Sequence, residues 1–303
     1  MTSGFAAVTP ELWVGQCRSM HYNTGVFISQ GQAVLIDPGL MADEFAALRE
    51  LLAAHGARPH TLVVTHSHWD HVLGPEQFPG VRVLAHDRYP ALIAQYADDI
   101  AWGLSHWEKQ AGLTRSQPFR PPAADVTVGA DAELTVGALA LRLRHVPGHA
   151  PDQLALYDAA AGALWASDIL SDVEIPYVSD SLAAYQRTLA ELAGWDLRVL
   201  VPGHGTPTAE PAEIQARLAH DRAYLAELGE RVAAAVAAGR SVEAAVAACA
   251  DMDFRLKAAS QFDHQLNVES VFLELGGAAD PQRVGWNKNW QTADIQWEPA
   301  SDQ

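Results

Sequence analysis

The segment "VVTHSHWDHVLG" (63–74) places His66, His68, Asp70 and His71 within six residues, directly after the apolar run "TLVVT" (61–65). Histidine mixed with carboxylate suits zinc, iron or manganese, and the end of a strand supplies the exact positioning that a metal site needs. In a short loop His66 and His68 can turn to one side while Asp70 and His71 turn to the other. One ion would not use all four comfortably; two would. Three further ligand types follow downstream: His149 in "HVPGHAPDQ", Asp168 in "LWASDIL" and His204 in "VLVPGHGTP". Each ends a strand-like run, and Gly148 frees the backbone beside His149. A chance knot of polar residues does not predict three more ligands at three more strand ends.

The HxHxDH motif at 66–71, followed by His149, Asp168 and His204 in that order, resembles the metallo-β-lactamase fold superfamily. "NTGVFI" (23–28) and "LIDPG" (35–39) resemble its N-terminal strands, so the resemblance covers about residues 8–208. It implies that His66, His68 and His149 bind a first metal, that Asp70, His71 and His204 bind a second, and that Asp168 bridges them. The family's true β-lactamases typically lack this bridging aspartate. Asp168 therefore points to hydrolase branches resembling glyoxalase II and the acyl-homoserine lactonases. The flavodiiron branch has a glutamate where His68 stands, which argues against redox use. Glyoxalase II usually reads HxDHxGG; here His68-Trp69-Asp70-His71-Val72-Leu73-Gly74 lacks the first glycine, a departure that leaves the ligands intact and leans away from that particular enzyme.

Five neutral imidazoles and two carboxylates around two divalent ions leave a residual charge of +2, or +1 with a bridging hydroxide. Such a site yields a nucleophile near neutral pH and stabilises an oxyanion. The expected reaction is hydrolysis of an ester, lactone or thioester by a metal-bridging hydroxide at two divalent ions, zinc first and iron or manganese as alternatives. Asp70, beside the nucleophile, would accept or relay a proton, and the Tyr177 phenol would donate to the developing oxyanion. The loops rimming the family's pocket implicate His21, Tyr22, Trp102, Trp107 and Glu174 in substrate contact. Asp37 reads as a turn or supporting residue, and His264 and Asn267 as a hydrogen-bonding pair on one turn of the final helix. One rival is a mononuclear iron oxygenase resembling persulfide dioxygenase; another is a phosphodiesterase on the same fold.

The elements that must position these residues alternate along the chain. Strand-like runs at 12–17, 25–29 and 33–38 precede a helix over 41–56, in which Phe45, Leu48, Leu51 and Leu52 share a face before Gly56. After a strand at 81–86 comes a helical region containing Tyr89, Tyr96, Trp102 and Trp107. The Pro-rich stretch 116–126 leads into meander-like strands, "VTVG", "AELTVG" and "LALRLRHVPG"; a hairpin of "QLALYD" and "GALWASD" and a helix over 180–196 follow. Strands with their own helices in both halves predict a four-layer αβ/βα sandwich, the metallo-β-lactamase-like α/β fold, over residues 1–208. Residues 209–303 read as a C-terminal helical extension, with a last helix over 254–277 and a strap carrying Trp286, Trp290 and Trp297. The strap would be a lid or the arm of a homodimer.

Composition narrows the partners. Among 303 residues, 20 basic and 37 acidic side chains give a charge of −17 with no local basic cluster, which excludes nucleic acid and leaves a small-molecule substrate. No apolar run is long enough for a membrane span, and the N-terminus lacks signal-peptide character. Cys17 and Cys249 are far apart with no CxxC pattern, as in a cytoplasmic protein with reduced thiols.

Overall fold

The computed structural model describes residues 4–115 and 117–278, and the Trp-bearing strap lies outside the described residues. Two sheets stack face to face. The first comprises β1 (Phe5–Ala7), β2 (Leu12–Gln16), β3 (Asn23–Ser29), β4 (Gln32–Ile36), β5 (Arg58–Val63), β6 (Arg82–His86) and β7 (Val126–Val128), side by side in chain order. Its pairs are antiparallel up to β4 and parallel from β4 to β7. The second comprises β8 (Asp131–Val136), β9 (Leu139–His145), β10 (Leu154–Asp158), β11 (Ala163–Ser167) and β12 (Val199–Pro202), in the order β12-β11-β10-β9-β8. Only β11 and β12 pair in parallel here.

The apolar runs read from the sequence owe their continuity to burial on both faces. Val34, Ile36, Phe27, Leu141, Leu156 and Trp165 meet between the sheets. The opposite faces of β3, β4, β5 and β6 pack under α1 (Ala42–Ala54), α2 (Tyr89–Gln95) and α3 (Ala97–Gln110). Those of β10 and β11 pack under α4 (Leu182–Leu192), α5 (Pro211–Ala237), α6 (Val242–Cys249) and α7 (Gln261–Glu274). The result is the four-layer α/β/β/α sandwich. Leu218, Leu225 and Leu228 of α5 share one continuous cluster with Tyr185 and Leu189 of α4, so the C-terminal helices form part of the outer layer.

Local signals behave as their chemistry dictates. Glu44 accepts from the backbone N–H groups of Leu40 and Met41 at the start of α1, half of a capping box, and Gly56 past its end has φ +57°. Ser181 caps α4 through Ala184 N, and Glu274 of α7 takes Leu182 N from the same end. Ser241 caps α6. Two expectations need correction. β7 belongs to the first sheet, parallel to β6, so the antiparallel meander runs from β8 through β9 and β10 into β11. The final helix begins at Gln261, not at 254, because Leu256 adopts φ +45°, a left-handed conformation that no helix continues through.

The sheets are stitched together at one end. Leu154 N donates to Thr65 O at 2.9 Å and Asn23 N to Gly203 O at 2.7 Å. The loops leaving β5, β9, β11 and β12 all converge on this seam.

Candidate metal centre

Two groups of ligand-type side chains meet at the seam. His66, His68, His149 and Asp168 form one; Asp70, His71, Asp168 and His204 form the other; within each, the ligand atoms lie within 4.8 Å of one another. The loop after β5 thus splits its four ligands as its alternation suggests, and Asp168 belongs to both groups. Its Oδ2 is 3.2 Å from His71 Nε2, 3.6 Å from His149 Nε2 and His204 Nε2, and 3.7 Å from His66 Nε2. Asp70 Oδ2 is 3.0 Å from His204 Nε2 and 3.4 Å from His71 Nε2.

Each imidazole is anchored through one nitrogen, which leaves the other facing the centre. His71 Nδ1 donates to Asp37 Oδ2 at 2.9 Å, His204 Nδ1 to Met20 O at 2.9 Å and His149 Nδ1 to Tyr177 O at 3.1 Å. Thr65 gives its hydroxyl proton to Asp37 Oδ2 at 2.6 Å, so its oxygen accepts from His66 Nδ1 at 3.1 Å, beside Ser167 Oγ at 3.3 Å. His68 is reversed. Ser179 spends its hydroxyl proton on His149 O and accepts from His68 Nε2 at 3.4 Å, leaving His68 Nδ1 3.0 Å from His149 Nε2. Such supporting bonds fix tautomer and ring plane, as they do around metal-ligating histidines.

The donor set fits divalent cations. His66 Nε2 and Asp168 Oδ1 are buried with no hydrogen-bond partner, and a buried polar atom without a partner costs about 1–3 kcal/mol. Burial, reinforced by the neighbouring imidazoles, holds His66 well below its usual range, and burial brings His68 to about 4 and His149 to about 3. These three are neutral at pH 7, the form in which histidine binds metal. Around His204 burial works in the same direction, but Glu174, Asp168 and Asp70 outweigh it and raise the ring to about 10. His71 is likewise held up, against burial, by Asp168, Asp70 and Asp37. The His71–His204 side is thus the more negative half of the centre.

The backbone is built around these atoms. Ser167 and Asp37, both non-glycine residues, hold φ +54° and +43°, costly conformations of the kind that cluster at functional sites. Gly148 has φ +130° and its missing Cβ leaves room for the Tyr185 backbone. At Gly203 a Cβ would overlap Asp168 Oδ1.

Residues 20–204 match the sequence model of the metallo-beta-lactamase superfamily. The chain belongs to this superfamily. A hydroxyacylglutathione hydrolase of Anaeromyxobacter dehalogenans is 35% identical over 136 residues, which span 44% of this chain and 40% of the relative. An acyl-coenzyme A thioesterase of Gallus gallus is 27% identical over 188 residues, 56% of this chain and 68% of the relative. Among solved structures, the inverting sec-alkylsulfatase of a Pseudomonas species superposes with TM-score 0.71 at 18% identity, covering 92% of this chain and 51% of the sulfatase. A superfamily protein of Thermus thermophilus superposes with TM-score 0.62 at 22% identity, covering 92% of this chain and 95% of its own. The shared fold therefore extends past residue 208 into the C-terminal helices.

The remaining candidates divide by position. Tyr22 is fully buried. Its hydroxyl donates to Asp37 O at 2.8 Å and its ring stands edge-on to His71 and His204. It supports two of the candidate ligands and has no surface to offer a substrate, which corrects the expectation. Trp107, 2% exposed, packs on Trp69 of the motif and is likewise core. Trp102 stacks on His106 along α3. His21 accepts from Gly205 N through its carbonyl. Glu174, its side chain 44% exposed, lies 3.7 Å from His204 Nδ1, and the half-buried Tyr177 ring lies 5.9 Å from the His149 ring. Asp37 is the supporting residue expected of it. Asn267 does more than bond along its helix: it accepts from Val178 N and donates to Pro176 O and Tyr224 Oη, pinning the segment that orients His149. His264 bonds Tyr224 Oη and Cys249 O. Thr65, Ser167 and Ser179 were missed; only the adjacency of Thr65 and Ser167 to ligands could have pointed to them.

Proposed function

We propose that the chain is a dinuclear metal-dependent hydrolase, zinc being the expected ion, that cleaves a carboxylic ester or lactone and, foremost, a thioester of a small molecule. The observation that carries this reading is Asp168, shared by both His/Asp groups with its Oδ1 otherwise unpartnered. The relatives named hydroxyacylglutathione hydrolase and acyl-coenzyme A thioesterase bring the thioester to the front of the substrate classes.

His66, His68, His149 and Asp168 would hold one ion, and Asp70, His71, His204 and Asp168 the other. When bound, the ions supply an activated hydroxide at neutral pH and positive charge opposite the developing oxyanion. The chain's own residues do the rest. Asp70, 5% exposed and fixed against His71 and His204, would accept or relay the proton beside the nucleophile. Burial, with the Asp263 carboxylate second, holds the Tyr177 phenol well above its usual range, so it keeps its proton and can donate a hydrogen bond. Glu174 sits at the rim beside His204, its carboxyl raised to about 7 chiefly by burial, where it could meet the substrate.

The test is a panel of matched thioesters, oxyesters and lactones with wild type and His66→Ala. The expected result is thioester hydrolysis that falls by about two orders of magnitude or more in the variant. A chain inactive on all three classes, or a variant as active as wild type, contradicts the proposal.

A further inference from the structure

Arg217 of α5 is buried, 2% exposed, and its guanidinium holds two loops at once. Nη1 donates to Leu170 O at 3.4 Å and to Thr206 O at 3.0 Å. Leu170 is two residues beyond Asp168, in a turn where Ser167 and Leu170 have φ +54° and +62°; Thr206 is two residues beyond His204. Nη2 pairs with Asp172 at 3.4 Å and Nε with Glu213 at 2.8 Å. Asp172 closes the ring: its Oδ1 accepts from Thr206 N at 2.7 Å.

A buried arginine is retained where its planar fork meets several acceptors in fixed directions, which a lysine cannot do. Here the acceptors are the backbones that immediately follow two metal-ligand positions, and they come from β11 and β12, whose register alone does not fix the loops beyond them. The charge is balanced locally by Asp172 and Glu213, so the residue is not there to neutralise the centre. It touches no ligand side chain.

We propose that Arg217 is a positioning residue that, with Asp172, fixes the loop bearing His204, so that α5, outside the motif-bearing part of the chain, completes the Asp70/His71/Asp168/His204 group. The inference rests on the two-ion reading above. His66, His68 and His149 hang on Thr65, Ser167, Ser179 and Tyr177 O, none of which Arg217 contacts. Asp168, shared by both groups, is held at its neighbour Ser167 O by Gly203 N at 2.6 Å, whereas the loop after His204 is gripped twice, at Thr206 O and through Asp172 at Thr206 N. The loss of Arg217 should therefore act chiefly on the His204 group.

The test is a zinc titration of the full chain against a chromogenic chelator, with melting temperature measured in parallel. His204→Ala identifies which binding event belongs to its group. Arg217→Lys should weaken that event about 10-fold or more and leave the other within about 2-fold. Asp172→Asn should do the same in milder form, and it decides the matter if Arg217→Lys does not fold. Both events unchanged in the folded variants overturns the inference while leaving the two-ion reading intact. Equal weakening of both events overturns it as well, since that is the mark of a merely structural role. A wild type with no event sensitive to His204→Ala overturns the inference and the two-ion reading together.

Discussion

Asp37 shows how much of the centre depends on single side chains that bind no metal. It takes Thr65 N, Thr65 Oγ1 and His71 Nδ1 and is 1% exposed. Asp37→Ala removes the acceptor that fixes the His71 tautomer, and the expected cost is about 10–100-fold in metal affinity, measured by chelator competition; unchanged affinity would contradict this role. A second buried carboxylate makes a pH prediction. Burial raises Asp152 to about 6, against the pull of Ser67, above the usual aspartate value near 4. Between those values the folded chain holds a proton that the unfolded chain has released, so this group's contribution to stability is present at low pH and lost as pH rises to about 6. Relative to Asp152→Asn, the metal-free protein should therefore lose stability from pH 4 to 6, by roughly 3 kcal/mol at most, and stay level above; denaturant melts across that range check the sign. At this scale the seven residues that meet in the two His/Asp groups were legible as candidates, because ligand types recurring at strand ends form a pattern. Asp37 was legible as support. Ser179 and Asp152 were not, since an isolated polar residue carries no spacing signal, and Tyr22 misled because a rim position in sequence is a buried one in space.

At the scale of elements, strand ends place the candidate ligands and Gly203 leaves room for the Asp168 carboxylate. Gly203→Ala would push a methyl into Asp168 Oδ1. Because Asp168 serves both groups, the expected loss is about 10-fold or more in both zinc-binding events, in contrast to the selective loss expected for Arg217→Lys; loss of one event alone would argue against a shared Asp168. The strands and α1 could be read from apolar runs, caps and Gly56. The partner of β7 could not, because three residues fit either sheet until the parallel neighbour β6 is placed. The start of α7 was hidden by an apolar pattern that continues through Leu256, whose left-handed backbone ends the helix. Nor could the sequence reveal that Asn267 and Arg217, on helices after the motif, reach back to the loops that bear Tyr177 and Asp168, since those contacts span more than 40 residues of chain.

Over the whole molecule, the charge of −17 acts on whatever approaches. For an anionic thioester, repulsion slows encounter, and salt screens it over a Debye length of roughly 8–10 Å. Raising ionic strength should therefore increase kcat/KM for an anionic thioester and leave a neutral one unchanged; equal response of the two would remove the charge from the account. No helix among the described residues is long and apolar enough to cross a membrane. The sandwich could be read as a whole because its two halves repeat the same logic of sheet and covering helices; the integration of the C-terminal helices into the outer layer emerged only from their shared core with α4. The centre itself is tested most directly by counting metal in the protein as purified, by mass spectrometry against absorbance, with oxygen uptake followed in parallel. Two divalent ions per chain is the predicted result; no bound metal, or a single iron accompanied by oxygen consumption, would contradict it.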